Sequence, residues 1–385
     1  MKFDALSASS ASSGLALAAR IIGKADRAHP ADAVLRAELK AANQFLRADA
    51  REASRAVFAW FRWRGWMEPE RPLPDQIKHA LQLATSLAEH PQSFPDEAFA
   101  GHAVPAWTGE VMEVSTAWAR SLQSEPRLWL RAKRGQGRAL AGKMGDCWIP
   151  PEPAFADTVE YQGEEDLFRS PEFHAGEFEV QDIASQAVGL LCAPQPGQTW
   201  WDACAGEGGK LLHLSELMEN KGLIWASDRA EWRLKNLKRR TARAKCFNYR
   251  AAHWDGGAKL PTKTQFDGVL VDAPCSGLGT WQRNPHARWT TTPEDVRELG
   301  ALQRQLLSHA AGSVKPGGKL VYSVCTLTRP ETTAVAEAFQ QAHPDFEPAT
   351  LPSLAVKPLP PTAALTIWPQ DLGGNGMFVA SWRRK

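Results

Sequence analysis

Between Gln198 and Cys325, short apolar segments alternate with stretches long enough to be helices, and this rhythm constrains the chain more than any other feature. The segments TWWDACAG, LIWASD, CFNYRAA, FDGVLVDAP and KLVYSVC follow one another in this way, which is the pattern of an α/β fold with a parallel, doubly wound sheet. Ligands of such sheets sit at the carboxyl ends of the strands, so the residues that close each segment are the first candidates for chemistry. A Pro-rich connection, LPSLAVKPLPPTAAL (351–365), precedes a last pair of expected strands, LTIWP and GMFVASW.

The start of the chain has a different period. In ADAVLRAELKAANQFLRADAREASRAVFAWFRWRGWME, apolar residues such as Leu35, Leu39, Leu46, Ala50, Val57, Trp60 and Phe61 recur at steps of three and four, which predicts amphipathic helices. Two more are expected around Pro74–Ala88 and Pro105–Leu122. After Pro126 the reading changes to LWLRAK, CWIPP and DTVEYQG as short strands around a mixed segment RALAGKMGD. The expected organisation is therefore an all-α domain over 12–124, a small α+β module over 125–175 and the α/β domain over 176–385.

With 385 residues, 43% of them hydrophobic, the chain can bury more than one core, and disorder as its main state is excluded. The net charge of +2 says nothing about nucleic acid, but its distribution is uneven. Residues 126–145 hold Arg127, Arg131, Lys133, Arg134, Arg138 and Lys143 and no acid, and residues 229–250 hold nine Lys or Arg against one Glu; each run reads equally well as a solvated face. The six cysteines, at 147, 192, 204, 246, 275 and 325, form no C-x-x-C pair, so neither a zinc ribbon nor a disulfide framework is expected. The N-terminal apolar stretch is short, ends at Arg20 and lacks a basic leader, so no signal peptide or membrane span is expected. A cytoplasmic monomer with reduced thiols and no metal fits these observations.

Asp202-Ala-Cys204-Ala205-Gly206-Glu207-Gly208-Gly209-Lys210 places a glycine turn between a strand and a helix. A phosphate-cradling loop needs Gly at 204 and Ser or Thr at 211, where Cys204 and Leu211 stand, and a dinucleotide G-x-G-x-x-G fails at the same Leu211. Asp228 closes the next strand, where a carboxylate can accept from both ribose hydroxyls; it is also well placed to cap the following helix. A glycine turn and an acidic clamp without a phosphate motif suit an adenosine ligand better than NAD. Val271-Asp272-Ala-Pro274-Cys275-Ser-Gly-Leu-Gly279 and Leu320-Val-Tyr-Ser-Val-Cys325-Thr326 then bring two thiols and a carboxylate to the ends of neighbouring strands. A single cysteine is more often a small core residue; two at one edge beside Asp272 point to chemistry.

DACAGEGGK, DAPCSGLG followed by RNPHARW, and YSVCT, in this order, resemble the Nop/Sun (RsmB-like) family of S-adenosylmethionine-dependent RNA cytosine-5 methyltransferases. GEFEVQDIAS (176–185) looks like that family's lead-in to a Rossmann-like catalytic domain, and the helical start is similar to a NusB-like domain. The chain departs from the family's usual wording at Gly206-Glu207, Val324-Cys325-Thr326 and Asn375-Gly-Met-Phe378, each of which keeps the reactive atoms. The resemblance implies that Cys325 attacks C6 of cytosine, that Cys275 assists breakdown of the adduct, and that Asp272 holds the base. It further implies a cofactor site of Cys204 to Lys210 with Asp228, Asp255 and Asp272, and RNA, ribosomal RNA in particular, as the substrate. Arg283, Asn284, His286 and Arg288, in the loop after Cys275, are expected to touch it. Two other functions compete: a DNA cytosine-5 methyltransferase using Cys275 in its Pro-Cys pair, and a non-catalytic RNA-binding assembly factor with Glu207 reshaping the cofactor loop.

Overall fold

The computed structural model describes residues 13–41, 47–354 and 361–385; Leu46 and the middle of the Pro-rich connection lie outside them. The chain divides into two compact units, one of residues 1–125 with Trp281–Thr292, the other of Pro126–Thr280 with Pro293–Lys385.

The first unit is helical: α1 (Ser13–Lys24), α2 (Ala31–Ala41), α3 (Arg47–Trp63), α4 (Leu73–Glu89), α5 (Asp96–His102), α6 (Thr108–Val111) and α7 (Thr116–Ser121). Leu17, Ile21, Leu35, Val57, Phe61 and Ile77 meet in its core, as the three- and four-residue steps require. The single helix expected over 105–122 is two short ones, because Met112 is extended and the Ser115 hydroxyl accepts from Trp118 N, starting α7 afresh.

Trp281–Thr292 belongs to this unit, not to the α/β domain in which the sequence places it. Trp281 is fully buried and stacks on Trp118 at 6.2 Å. Arg288, also fully buried, donates to the carbonyls of Arg62, Ala103, Leu122 and Trp281 at 2.9–3.4 Å. His286 packs edge-on against Phe61 at 4.7 Å, and Trp289 Nε1 donates to Phe61 O. The segment reads as polar in sequence, but its polar atoms are consumed by carbonyls left free at helix ends.

The second unit contains two sheets. The smaller is antiparallel and four-stranded, in the order β2-β3-β1-β4, with β1 (Leu128–Ala132), β2 (Cys147–Trp148), β3 (Thr158–Tyr161) and β4 (Phe178–Val180), and with α8 (Gly137–Met144) and α9 (Pro171–His174) beside them. The expected boundary at 175/176 cuts this sheet, because Leu130 pairs with Val180. β4 leads into α10 (Ile183–Cys192), whose N-cap is Asp182.

The larger sheet comprises β5 (Thr199–Asp202), β6 (Leu223–Asp228), β7 (Tyr249–His253), β8 (Phe266–Asp272), β9 (Val314–Val324), β10 (Phe346–Pro348), β11 (Ala364–Ile367) and β12 (Met377–Arg384). Its order is β10-β12-β9-β8-β5-β6-β7, with β11 on β12. Strands β7, β6, β5, β8 and β9 are parallel, and β12 returns antiparallel to β9. Between them run α11 (Gly209–Leu217), α12 (Glu231–Arg243), α13 (Ala287–Thr290, in the first unit), α14 (Pro293–Ala311), α15 (Thr333–Ala342) and α16 (Pro369–Leu372). The fold is Rossmann-like, as expected. Side chains alternate between its faces: Leu270 and Val321 pack with Leu191 and Leu211, whereas Val269, Val271, Leu320 and Tyr322 pack with Leu307 and Phe339. The strand order reverses beside β5, which puts the ligand-bearing crevice at the carboxyl ends of β5, β6, β8 and β9. No described helix is long and apolar enough to cross a membrane.

Candidate active site

Parallel register sets Asp272, the last residue of β8, directly beside Ser323 of β9. Ser323 Oγ donates to Asp272 Oδ1 at 2.6 Å, and Lys210 Nζ, from the first turn of α11, donates to Oδ2 at 2.7 Å. Both carboxylate oxygens are thus fixed. The strands carry on into loops that bring Cys275 Sγ and Cys325 Sγ to 3.2 Å.

The two thiols differ in surroundings. The Cys275 thiol is pushed well above the usual range by its hydrogen bond to Cys325, then by burial and by the charge of Glu331, so it remains a neutral S–H near pH 7. Burial opposes the Lys210 ammonium, but Asp272, with Cys325 and Asp202 nearby, outweighs it and holds the lysine above its ordinary value. A cation close enough to interact with Cys325 is what a thiolate nucleophile needs.

Glu331, which lies outside every motif of the sequence, holds this pair in place. It is fully buried. Its carboxylate accepts from Ser276 N (2.8 Å), the Ser276 hydroxyl, Gln303 Nε2 (3.0 Å) and the Thr328 hydroxyl (2.8 Å). Gln303 Nε2 also donates to Pro274 O at 2.9 Å. One carboxylate therefore clamps the Cys275 loop to the segment after Cys325. Its only sequence signal is the spacing Thr326-x-Thr328-x-x-Glu331, which reads as an exposed turn. Gly279 permits the close approach: a Cβ there would stand 2.1 Å from Gly376 O and 2.9 Å from Cys325 O.

On the other side of Asp272, Asp228 lies at the end of β6 and is nearly buried. Its Oδ2 accepts from Gly206 N at 3.0 Å and its Oδ1 from Ala230 N at 2.8 Å, leaving each oxygen a second lone pair. Gly206 has φ +55°, and nothing lies within 4 Å of where its Cβ would project, so open space adjoins the clamp. Gly208, at φ +86°, begins α11 where a Cβ would meet Leu237 at 2.9 Å. Cys204, Ala205, Gly209 and Lys210 complete this loop, whereas Glu207 turns toward α12 and accepts from Asn236 Nδ2 at 3.1 Å. Asp255 is exposed, accepts from Gly257 N at 2.8 Å, and follows Trp254, whose N–H donates to Asp228 O at 3.3 Å. Burial, with Asp202 and the other carboxylates adding to it, pushes the Cys204 thiol up.

Asp202 sits beneath this crevice with both carboxylate oxygens buried and no hydrogen-bonded partner among the described residues. Burial, then the charge of Asp272, pushes its carboxyl up to about 8. At neutral pH the folded protein keeps a proton there that the unfolded chain, at about 3.8, has released. Stability through this group therefore falls as pH rises from about 4 to about 8. Asp202→Asn, neutral throughout, should gain in melting temperature relative to the parent as pH rises across that window; a gap that does not change with pH contradicts this.

The expected RNA contacts divide. Arg283 is exposed, and Asn284 caps the turn by accepting from Ala287 N at 3.4 Å. His286 and Arg288 are buried inside the helical unit, so both are corrected to structural roles: burial, with Arg62 beside it, pulls the Arg288 guanidinium down to about 9. The basic run 126–145 is mostly exposed, but most of its charges are paired within the chain. Arg127, Arg131, Arg134 and Lys143 pair with Glu160, Glu216, Glu219 and Glu177, and Lys133 donates to Ala244 O. Among the described residues no cluster of three or more His, Cys, Asp or Glu is arranged to hold a metal.

Residues 189–383 match the sequence profile of a family described as "16S rRNA methyltransferase RsmB/F". A Bacillus subtilis (strain 168) protein named "Probable ribosomal RNA small subunit methyltransferase B" is 39% identical over 220 residues, covering 55% of this chain and 49% of that protein. The "Ribosomal RNA small subunit methyltransferase B" of Salmonella typhi is 30% identical over 298 residues, covering 73% of this chain and 66% of the relative. The match thus spans about half the length of the first of these relatives and just under two thirds of the second. Among solved structures, that of PH0851 superposes with a TM-score of 0.78 over 97% of this chain and 98% of its own, at 22% identity, a likeness of fold.

Proposed function

Because the chain belongs to the family described as 16S rRNA methyltransferase RsmB/F, we propose that it methylates cytosine C5 in RNA, ribosomal RNA in particular, through a transient bond between Cys325 and the base. The observation that carries this reading is the pair of thiols 3.2 Å apart beside a carboxylate and a lysine that are themselves bonded.

Carbon C5 of cytosine is a poor nucleophile. Addition of the Cys325 thiolate at C6 breaks the ring's conjugation and leaves electron density at C5, where the methyl group is accepted. Asp272, held by Ser323 and Lys210, accepts from the exocyclic amino group and a protonated N3, which favours cytosine and balances the charge formed on addition. A base or water in the opened site takes the C5 proton, the freed electron pair restores the C5–C6 double bond and expels the Cys325 sulfur as thiolate, and the neutral Cys275 S–H, 3.2 Å away, is positioned to donate to that departing sulfur. A base stacked in a helix cannot reach these atoms, so the target lies in an unpaired or opened stretch.

The residues fit S-adenosylmethionine. The open space at Gly206 adjoins the Asp228 carboxylate, and a site edged by Asp228, Asp255 and Asp272 suits a cationic nucleoside better than a phosphate. The loop Cys204 to Lys210 with those carboxylates would hold it, and when bound it supplies an electrophilic methyl carbon. Each hydrogen bond from a ribose hydroxyl to Asp228 contributes up to about 1.5–3 kcal/mol. Asp228→Ala should therefore weaken S-adenosylmethionine at least tenfold in a titration, with the fold intact by circular dichroism; an unchanged Kd contradicts the assignment.

The function itself is tested by incubating the purified chain with methyl-labelled S-adenosylmethionine and small-subunit ribosomal RNA, then digesting the product to nucleosides. Label in 5-methylcytidine is expected. Label in another nucleoside, or in DNA and not RNA, overturns the reading.

A further inference from the structure

The basic run 229–250 lies on α12 and the neighbouring edge strand β7, and the structure sorts its charges. Arg240 and Arg243 are bound to Glu179, and Arg233 lies 3.9 Å from Asp228. The remaining six cations, Arg229, Lys235, Lys238, Arg239, Lys245 and Arg250, are exposed, and none is within ion-pair distance of a carboxylate among the described residues. Leu234, Leu237 and Thr241 are buried against the sheet, so the free charges of α12 occupy the outer side of a helix roughly 20 Å long.

Two aromatic side chains stay in water on the same stretch. Trp232, in the first turn of α12, is 57% exposed, and Phe247, in the turn before β7, is 78% exposed. Arg233 stacks over the Trp232 ring at 5.4 Å. Burying neither ring forgoes a sizeable hydrophobic gain, which is informative where the surrounding surface is otherwise charged. A protein partner's core contact would be poor in lysine. Unpaired cations interleaved with exposed aromatic faces are instead the combination that grips a single strand of nucleic acid, phosphates on the cations and unstacked bases on the rings. α12 also starts three residues after Asp228, from the sheet edge that carries both thiols, with β6 two strand spacings, or about 10 Å, from β8.

We propose that the outer face of α12 with Phe247 and Arg250 is a second RNA-binding surface, which holds the strand flanking the target base. The choice of RNA rests on the function proposed above. The full chain is titrated by fluorescence anisotropy with a labelled, cytosine-free, single-stranded RNA of about 24 nucleotides, so that binding is read apart from chemistry. Lys238→Glu/Arg239→Glu should weaken binding tenfold or more at low salt and flatten the plot of log K against log salt by at least about 1.4, two phosphates at ~0.7 each. Trp232→Ala/Phe247→Ala should weaken it about five- to tenfold with the slope unchanged. Both variants should bind S-adenosylmethionine as the parent does, which shows that they fold. Unchanged affinity and slope in folded variants overturn the proposal, as does competition by polyglutamate equal to that by RNA, which marks a surface for acidic protein. The parent's methyl transfer to ribosomal RNA separates the two failures. If transfer occurs and the variants bind normally, this face is wrong and the function stands; if the variants lose RNA binding but no transfer occurs, the face stands and the function is wrong.

Discussion

Cys325→Ala should lose methyl transfer by on the order of 10⁴-fold or more, since removing a nucleophile removes the covalent route altogether. Cofactor affinity should stay within about twofold, because Cys325 lies across Asp272 from the Asp228 clamp and its side chain shrinks without adding bulk. The Pro-Cys alternative makes the opposite claim, that Cys275 attacks and Cys325 is dispensable. Its thiol is ill suited to that, being held neutral by Cys325, by burial and by Glu331. A single-turnover assay with saturating RNA distinguishes the two. Retention of more than a few per cent of parental transfer in Cys325→Ala contradicts the assignment.

The second large effect is on stability. Arg288→Ala removes the donor shared by four buried carbonyls and opens a void where a fully buried side chain stood. The expected loss is on the order of 3–5 kcal/mol, a large part of a domain's stability. Arg288→Lys should recover little of it, since one ammonium cannot span carbonyls that a planar guanidinium bridges. Denaturant unfolding followed by tryptophan fluorescence reads this directly, because Trp63, Trp118 and Trp281 are buried in the same unit. Unfolding within 0.5 kcal/mol of the parent, combined with a specific loss of RNA affinity, would restore Arg288 as an RNA contact.

That pair of outcomes marks where sequence and structure part. The α/β rhythm was legible because each strand is short, apolar and followed by a helix, and the strand ends named Asp228, Asp272, Cys275 and Cys325 before any contact was known. Side-chain period also found the helical unit. What period could not convey was which polar residues face inward. Arg288 and His286 look like surface residues in a polar loop, yet Trp281 on one side and Trp289 on the other carry the loop into the helical core. Glu331 looks like a turn carboxylate, yet the Ser276 hydroxyl and the Gln303 amide, both distant in sequence, converge on it with the nearby Thr328. Likewise, four of the six cations of 126–145 appear unbalanced because Glu160, Glu177, Glu216 and Glu219, which pair with them, lie further along the chain. Charge counted along a sequence misses partners brought in by the fold.

In the proposed mechanism Cys325 forms the bond to RNA and Cys275 helps to break it. Its most direct measurement is denaturing electrophoresis of Cys275→Ala after incubation with small-subunit ribosomal RNA and S-adenosylmethionine. A protein–RNA conjugate is expected that carries the methyl label, requires S-adenosylmethionine and vanishes in Cys275→Ala/Cys325→Ala. A conjugate trapped by Cys325→Ala and absent from Cys275→Ala would contradict it.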